Sequence, residues 1–242
     1  VETAHLRELI DLEDRYWWHV AKRRLATGLL QRLVPPGPSR VVEGGIGAAG
    51  NLALWQQMGY GVVGLDCMPE SIQHAQDLGL SDVHLHDLHQ PWPVENESSD
   101  AVVLLDVLEH LQDPVTALGH AARCLKSTGK VLFTVPAYPM LFSDWDERLG
   151  HFRRYTMPMI REQIQQAGMR LEMARYWNSF TLPAALVLRT LRKWRPSSHG
   201  TEFPRVSRWM NRCLISAADL EQRLAGYLPI PCGLSIVGVL GK

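Results

Sequence analysis

The sequence predicts an α/β fold: a seven-stranded, mostly parallel sheet with helices on both faces, a helical cap before it and a helical insertion before its last strand. Three observations predict it. From Arg40 onward, apolar runs of strand length alternate with segments of helical period, the pattern of strands buried on both faces. A glycine-rich turn, Gly44-Gly45-Ile46-Gly47-Ala48-Ala49-Gly50, follows the first run. Turn residues fall at the ends of the runs, as where Pro136 closes Val131-Leu132-Phe133-Thr134-Val135.

In chain order, residues 1–35 read as a helical cap and 36–242 as the main domain. Strands are expected at 40–43, 61–66, 83–86, 101–106, 130–135, 170–176 and 234–240. A helix over 51–58 joins the first two strands, and Pro69-Glu70 opens another that ends near Gly79. Asp113 caps a helix with Pro114 in its first turn, and Leu118, Ala121, Ala122 and Leu125 form its apolar stripe. Ser127-Thr128-Gly129 is read as the turn into the fifth strand.

A helical insertion is expected at about 177–231. Within it Ala184, Val187, Leu188, Leu191 and Trp194 share a helical face opposite Arg189, Arg192 and Lys193. Packing against the domain is the leading account of that stretch; a pocket lid, a peripheral membrane contact and a dimer contact are the alternatives.

Composition narrows the function. Lys plus Arg equal Asp plus Glu at 25 each, which leaves no field of the kind that gathers nucleic acid; a small or neutral acceptor is expected instead. The apolar stretch 181–188 stops at Arg189, too short to cross a bilayer. Cys67, Cys124, Cys213 and Cys232 are scattered, with neither metal spacing nor the density of a disulfide scaffold, and the charged start lacks a signal-peptide core. A cytoplasmic location follows as an expectation.

The glycine turn lets a ligand approach the backbone at the start of a helix, and Asp66 about twenty residues on can accept from both hydroxyls of a ribose. Gly45-Ile46-Gly47-Ala48-Ala49-Gly50 also matches G-x-G-x-x-G, so an NAD-dependent oxidoreductase is an alternative. Three features favour a methyl donor: acidic Glu43, where a dinucleotide-binding strand usually stays apolar; Asp87 after the third strand, in reach of an adenine amino group; and the run from Asp100 to Leu111.

With those elements in order and spacing, the chain resembles the class I S-adenosylmethionine-dependent methyltransferases, which have a Rossmann-like sheet, over roughly residues 37–178. It is more narrowly similar to a bacterial subgroup with an N-terminal aromatic-basic segment, here Tyr16-Trp17-Trp18-His19-Val20-Ala21-Lys22-Arg23, and a loop Gly150-His151-Phe152-Arg153-Arg154-Tyr155. The resemblance implies S-adenosyl-L-methionine as cofactor and S-adenosyl-L-homocysteine as product. Gly45 and Gly47 would border the methionine portion, with Asn51 alongside, and Glu43 would fix the loop or the ammonium. Asp66 and Cys67 would meet the ribose, Asp87 and Leu88 would frame the adenine, and Asp106 and Val107 would lie near the donor. Glu43 and Ile46 depart from the family's more usual aspartate and cysteine, and Gly44 replaces a larger apolar residue.

Transfer from a sulfonium is an in-line displacement, so alignment and exclusion of water are the protein's main tasks. An oxygen acceptor is expected ahead of nitrogen or carbon. His151, in the long connection after the fifth strand, is the first choice of base; hydrogen bonding that fixes its own turn competes with that reading. Arg153, Arg154 and Tyr155 are expected at the acceptor, against a solvated or salt-bridged alternative for the arginines. Trp18 and Lys22, with Trp17, either close over the donor or simply pack. Glu109-His110 is similar to the metal-binding segment of some quinone O-methyltransferases, but further acidic ligands are not evident, so no metal is expected. His84 and His86 would share one strand face while His89 sits in the following loop, so the three are not read as a zinc site. A donor-binding protein without catalysis is the remaining alternative.

Overall fold

The computed structural model describes residues 3–187 and 206–242. Two helices, α1 (Thr3–Leu12) and α2 (Trp17–Leu33), lead into β1 (Arg40–Gly44), α3 (Gly50–Gln57), β2 (Gly61–Asp66), α4 (Pro69–Asp77) and β3 (Val83–Leu85). The second half runs β4 (Ser99–Leu105), α5 (Pro114–Cys124), β5 (Leu125–Pro136), α6 (Asp144–Arg148), α7 (Met157–Gln166), β6 (Arg170–Trp177), α8 (Arg208–Leu224) and β7 (Ser235–Gly241).

The seven strands order as β3-β2-β1-β4-β5-β7-β6. All neighbours are parallel except β7, which is antiparallel to both β5 and β6. Strand order reverses between β1 and β4, and a crevice opens at such a point beyond the carboxyl ends of the strands. The expected sheet is thus present.

Alternate residues of the central strands feed two cores. Val42, Val102, Leu104 and Phe133 face α5 and α7, burying Leu118, Ala121 and Ile160. Val41, Val103 and Leu132 face the other way onto α2 and α3, with Leu25, Leu30, Leu52 and Trp55. The period of two along each strand produces this division. Asp113 caps α5 by accepting from the amides of Val115 and Thr116, where the first turn leaves those donors unpaired.

The start of the fifth strand differs from expectation. Ser127-Thr128-Gly129 does not precede the strand; β5 begins at Leu125, directly after α5. Ser99 pairs with Leu125 and Ala101 with Lys130, so the extra residues of β5 are taken up in an irregularity rather than a free turn. A Cβ at Gly129 would lie 3.0 Å from the Ser99 carbonyl oxygen, which explains glycine at this close approach. Of the amphipathic stretch in the insertion, 182–187 is helical; Leu188, Arg189, Leu191, Arg192, Lys193 and Trp194 lie outside the described residues.

Candidate functional site

The loop after β1 turns back through two glycines in left-handed conformation, Gly45 at φ +73° and Gly47 at φ +52°, where a side chain is strained. Space imposes a second demand: a Cβ at Gly45 would lie 2.7 Å from Val107 Cγ2, and one at Gly47 3.0 Å from Leu9 Cδ2. The amide of Gly47 donates to Asp66 Oδ2 at 3.0 Å and that of Met68 to Oδ1 at 2.9 Å. Asp66 therefore ties the glycine loop to the end of β2. Burial pushes its carboxyl above the ordinary value, and the amide bonds offset this only in part.

Glu43 lies beneath the loop. It is buried, accepts from Asn51 Nδ2 at 2.7 Å, and has its second oxygen unpartnered. Burial pushes its carboxyl up to about 8. Neither Glu43 nor Asn51 is on the cavity wall, and of the two roles implied for Glu43, the geometry favours fixing the loop. Asp106 stands at the end of β4 with φ +54°, a conformation that stores about 1–3 kcal/mol in a residue other than glycine. It accepts from Thr134 Oγ1 at 2.8 Å and forms an ion pair with Lys22 at 2.9 Å. Burial alone would raise its carboxyl, but the charge and hydrogen bond of Lys22 hold it below the ordinary value. Trp18 packs 5.1 Å from Trp177, ring centre to ring centre, and the Lys22 ammonium lies 5.8 Å from the Trp18 ring.

A cavity of 1170 Å³ opens over these groups. Trp18, Lys22, Gly45, Gly47, Asp66, Cys67, Asp87, Leu88, Asp106 and Val107 all lie on its wall, as does His151; the fold brings them together from distant parts of the chain. Exposed Asp87 is held low by the amide and ring of His89. A volume of this size exceeds what one drug-sized ligand needs, leaving room for a second molecule beside a nucleoside.

At the far side, His151 Nδ1 lies 3.2 Å from Asp146 Oδ1, and the His151 ring meets His110 edge-on with centres 4.5 Å apart. Asp146 has no exposed surface. Its carboxylate also accepts from Ser143 N and Oγ and from Arg154 Nε. Burial, then the proximity of His151, lowers His110 to about 4, so its ring is neutral. Glu109, His110 and His151 each place one nitrogen or oxygen within 4.8 Å of the others.

Of the loop 153–155, where the sequence suggests an acceptor surface, the structure brings only Arg154 to the cavity wall. Arg153 donates to the Gln112 carbonyl at 2.9 Å, off the cavity wall. Tyr155 is wholly buried; its hydroxyl donates to the Leu108 carbonyl at 3.0 Å, and its backbone pairs with Ala137 beside β5. Arg154 reaches the wall, but its guanidinium serves Asp146 and the Ala137 carbonyl. A buried tyrosine satisfied by backbone fixes the loop.

Sequence reasoning missed Asp146. A signal existed: Ser143-x-x-Asp146 has the spacing of a capping box at the start of α6. Leu9 and Glu13 were also missed. Glu13 Oε1 accepts from the amide of Gly50 at 3.1 Å, at the amino end of α3, and only the fold brings α1 there.

The pieces fit S-adenosyl-L-methionine. The glycine cradle admits backbone approach but no Cβ, Asp66 offers a carboxylate for ribose hydroxyls, and Lys22 and Asp106 present both charges for the amino-acid end. The family model described as "Methyltransferase domain" matches residues 17–174, well over half of the chain. The chain is 26% identical over 147 residues to the ubiquinone biosynthesis O-methyltransferase of Paracidovorax citrulli, covering 55% of this chain and 62% of that protein. It spans about a third of another curated relative, an uncharacterized 37.1 kDa protein of a Streptomyces fradiae transposon. A chain of the solved complex between the Haloferax volcanii Trm112 methyltransferase activator and a methyltransferase aligns at TM-score 0.64 and 23% identity, over 98% of this chain and 94% of that one. A SAM-dependent methyltransferase of Archaeoglobus fulgidus aligns at 0.60 and 16%, over 91% and 94%. These two structures share the fold.

Proposed function

Since the chain belongs to the class I S-adenosylmethionine-dependent methyltransferases, we propose that it methylates an oxygen atom of a small-molecule acceptor, with His151 as the base. The family match sets aside the dinucleotide alternative raised by the glycine pattern. The observation that carries the reading is the Asp146–His151 contact on the wall of the cavity that also holds Asp66 and Asp106.

When bound, S-adenosyl-L-methionine would supply an electrophilic methyl group, with S-adenosyl-L-homocysteine as the product. Gly45 and Gly47 would border its methionine portion, Asp66 would bind the ribose, Asp87 and Leu88 would frame the adenine, and Lys22, Trp18 and Asp106 would lie at the amino-acid end. Residues 1–35 act as the cap: Leu9 lies over Gly47 and Glu13 over the start of α3. Asp146 accepts Nδ1–H of His151, which leaves Nε2 as the proton acceptor toward the cavity. In that tautomer His151 removes the hydroxyl proton as the oxygen becomes methylated, and Asp146 stabilises the resulting imidazolium. The insertion from about 177 to 231 lends Thr181, Ala184 and Ala185 to the cavity wall, excluding water from the transfer.

No helix among the described residues is long and apolar enough to cross a membrane. The deciding experiment is a screen of hydroxylated metabolites with labelled donor, with products analysed for O-methyl linkage, repeated with His151→Ala. Loss of turnover at unchanged donor affinity supports the reading. Transfer to nitrogen or carbon, or turnover unchanged by His151→Ala on the true acceptor, overturns it.

A further inference from the structure

Glu109 is not used by the mechanism above. It follows β4 in the short turn Leu108–His110, is completely buried, and lies on the cavity wall. Neither side-chain oxygen has a hydrogen-bond partner. The backbone of Glu109 is occupied, its carbonyl accepting from Phe152 N at 2.8 Å; the carboxyl plays no comparable part in holding the loop. A buried polar group left unmatched destabilises the fold and calls for an explanation.

Resting on the reading of His151 as base for an oxygen acceptor, we propose that Glu109 recognises a second oxygen of the acceptor, adjacent to the hydroxyl that is methylated. The preferred acceptor is then a neutral, mainly apolar molecule with two neighbouring oxygens. The distances support this, because a nitrogen of His151 and an oxygen of Glu109 lie within 4.8 Å, so a molecule with its reacting hydroxyl at His151 presents the next substituent to Glu109. Burial, then the negative charge of Asp106, holds the Glu109 carboxyl well above the usual range. A neutral acid donates its O–H, and the matching group on the ligand is an ether, carbonyl or hydroxyl oxygen. An anionic group there would face the Asp106 carboxylate. Beyond this pair the wall carries Trp17, Phe142, Trp145 and Phe152, surfaces suited to a ring or chain without charge.

The test uses the full chain saturated with S-adenosyl-L-homocysteine and two probes, 2-methoxyphenol and 4-methoxyphenol, which differ in whether the second oxygen neighbours the hydroxyl. Calorimetry is expected to show the 2-isomer bound at least about tenfold more tightly by the wild type, a preference of about 1.4 kcal/mol. Glu109→Gln keeps the preference because its amide also donates; Glu109→Leu loses it. An infrared difference spectrum, wild type minus Glu109→Gln near neutral pH, is expected to show the carbonyl stretch of an un-ionised carboxylic acid. If Glu109→Leu does not fold, the spectrum and the Glu109→Gln comparison decide.

Equal binding of the two phenols, binding of neither, Glu109→Gln behaving as Glu109→Leu, or an absent acid band overturns the inference. So does binding that depends on added divalent cation and is lost with chelator, since Glu109 would then be an ionised ligand. Failure of the O-methylation reading looks different: the binding preference persists while labelled donor yields no methyl ether from either phenol.

Discussion

Asp146 and His151 are joined Oδ1 to Nδ1 at 3.2 Å, and the same Asp146 oxygen takes Arg154 Nε at 2.7 Å. One carboxylate thus orients the ring on the cavity wall and neutralises the buried guanidinium beneath it. Asp146→Asn keeps the volume but puts an amide where the histidine needs an acceptor, favouring the other tautomer. It is expected to lower kcat at least about tenfold, an effect of about 1.4 kcal/mol on the barrier, while calorimetry shows unchanged donor affinity. An unchanged kcat would remove Asp146 from the orientation of His151.

The same contact has a stability consequence. Asp146→Ala leaves Arg154 buried without its partner, and loss of one member of a buried pair costs about 3–5 kcal/mol. Urea unfolding is expected to show a loss in that range, well beyond that of His151→Ala. Similar losses for the two variants would mean that the ion pair contributes little.

Asp66→Ala removes the acceptor for two loop amides as well as the proposed ribose contact. Donor affinity is expected to fall by about 1–3 kcal/mol, read by calorimetry with S-adenosyl-L-methionine. Unaltered affinity would contradict the ribose assignment.

At Gly45 a methyl group meets both a positive φ and the Val107 side chain. Gly45→Ala is expected to abolish measurable donor binding, and adding Val107→Ala to restore it only in part, because the overlap is relieved and the backbone strain is not. Full restoration by the double variant would show that φ at Gly45 imposes no constraint.

Glu43 gives a pH dependence with a definite sign. Its folded-state value is raised to about 8 by burial, so the folded chain holds a proton that the unfolded chain releases near the ordinary glutamate value. The stability from that proton is present below the unfolded value and is lost as pH rises through about 8. His110, lowered to about 4, acts in the opposite sense, but only up to its unfolded value of about 6.5. Between about pH 6.5 and 8, donor-free protein is therefore expected to lose stability through Glu43 and through Glu109, whose carboxyl burial also holds well above the usual range. Glu43→Gln, which still accepts from Asn51, should reduce that slope in denaturant titrations at successive pH values and leave the part due to Glu109. An unchanged slope would remove Glu43 as its source.

The sheet and the loop-and-Asp66 pairing were legible in the sequence because both are local in character. A buried strand declares itself as an apolar run, and Asp66 follows the glycine turn at a spacing set by one strand-helix-strand unit. The start of β5 was hidden because Leu125 reads equally as the last turn of α5, and only its pairing with Ser99 assigns it to the sheet. His151 could be suspected from its place after the fifth strand, but its approach to Glu109 and His110, some forty residues earlier, depends on tertiary packing. That Arg153 and Tyr155 stand off the cavity wall was hidden for a related reason. Residue type cannot distinguish an arginine or tyrosine that meets a ligand from one that satisfies a neighbouring carbonyl.

The seating of β7 between β5 and β6 has a consequence for how the chain is made. Among the described residues β6 has no partner in the sheet other than β7, so its eight residues emerge from the ribosome well before the strand that will receive them. The parallel portion from β1 to β5 can assemble from what has already been synthesised, whereas β6 waits, with neither edge paired, until residues 235–241 arrive. Such long-range closure is slow compared with local pairing. The Trp177–Ser235 pairing joins the start of the insertion to a strand whose Ser235 lies on the cavity wall, and a nascent chain cannot complete that wall before β7 is in place.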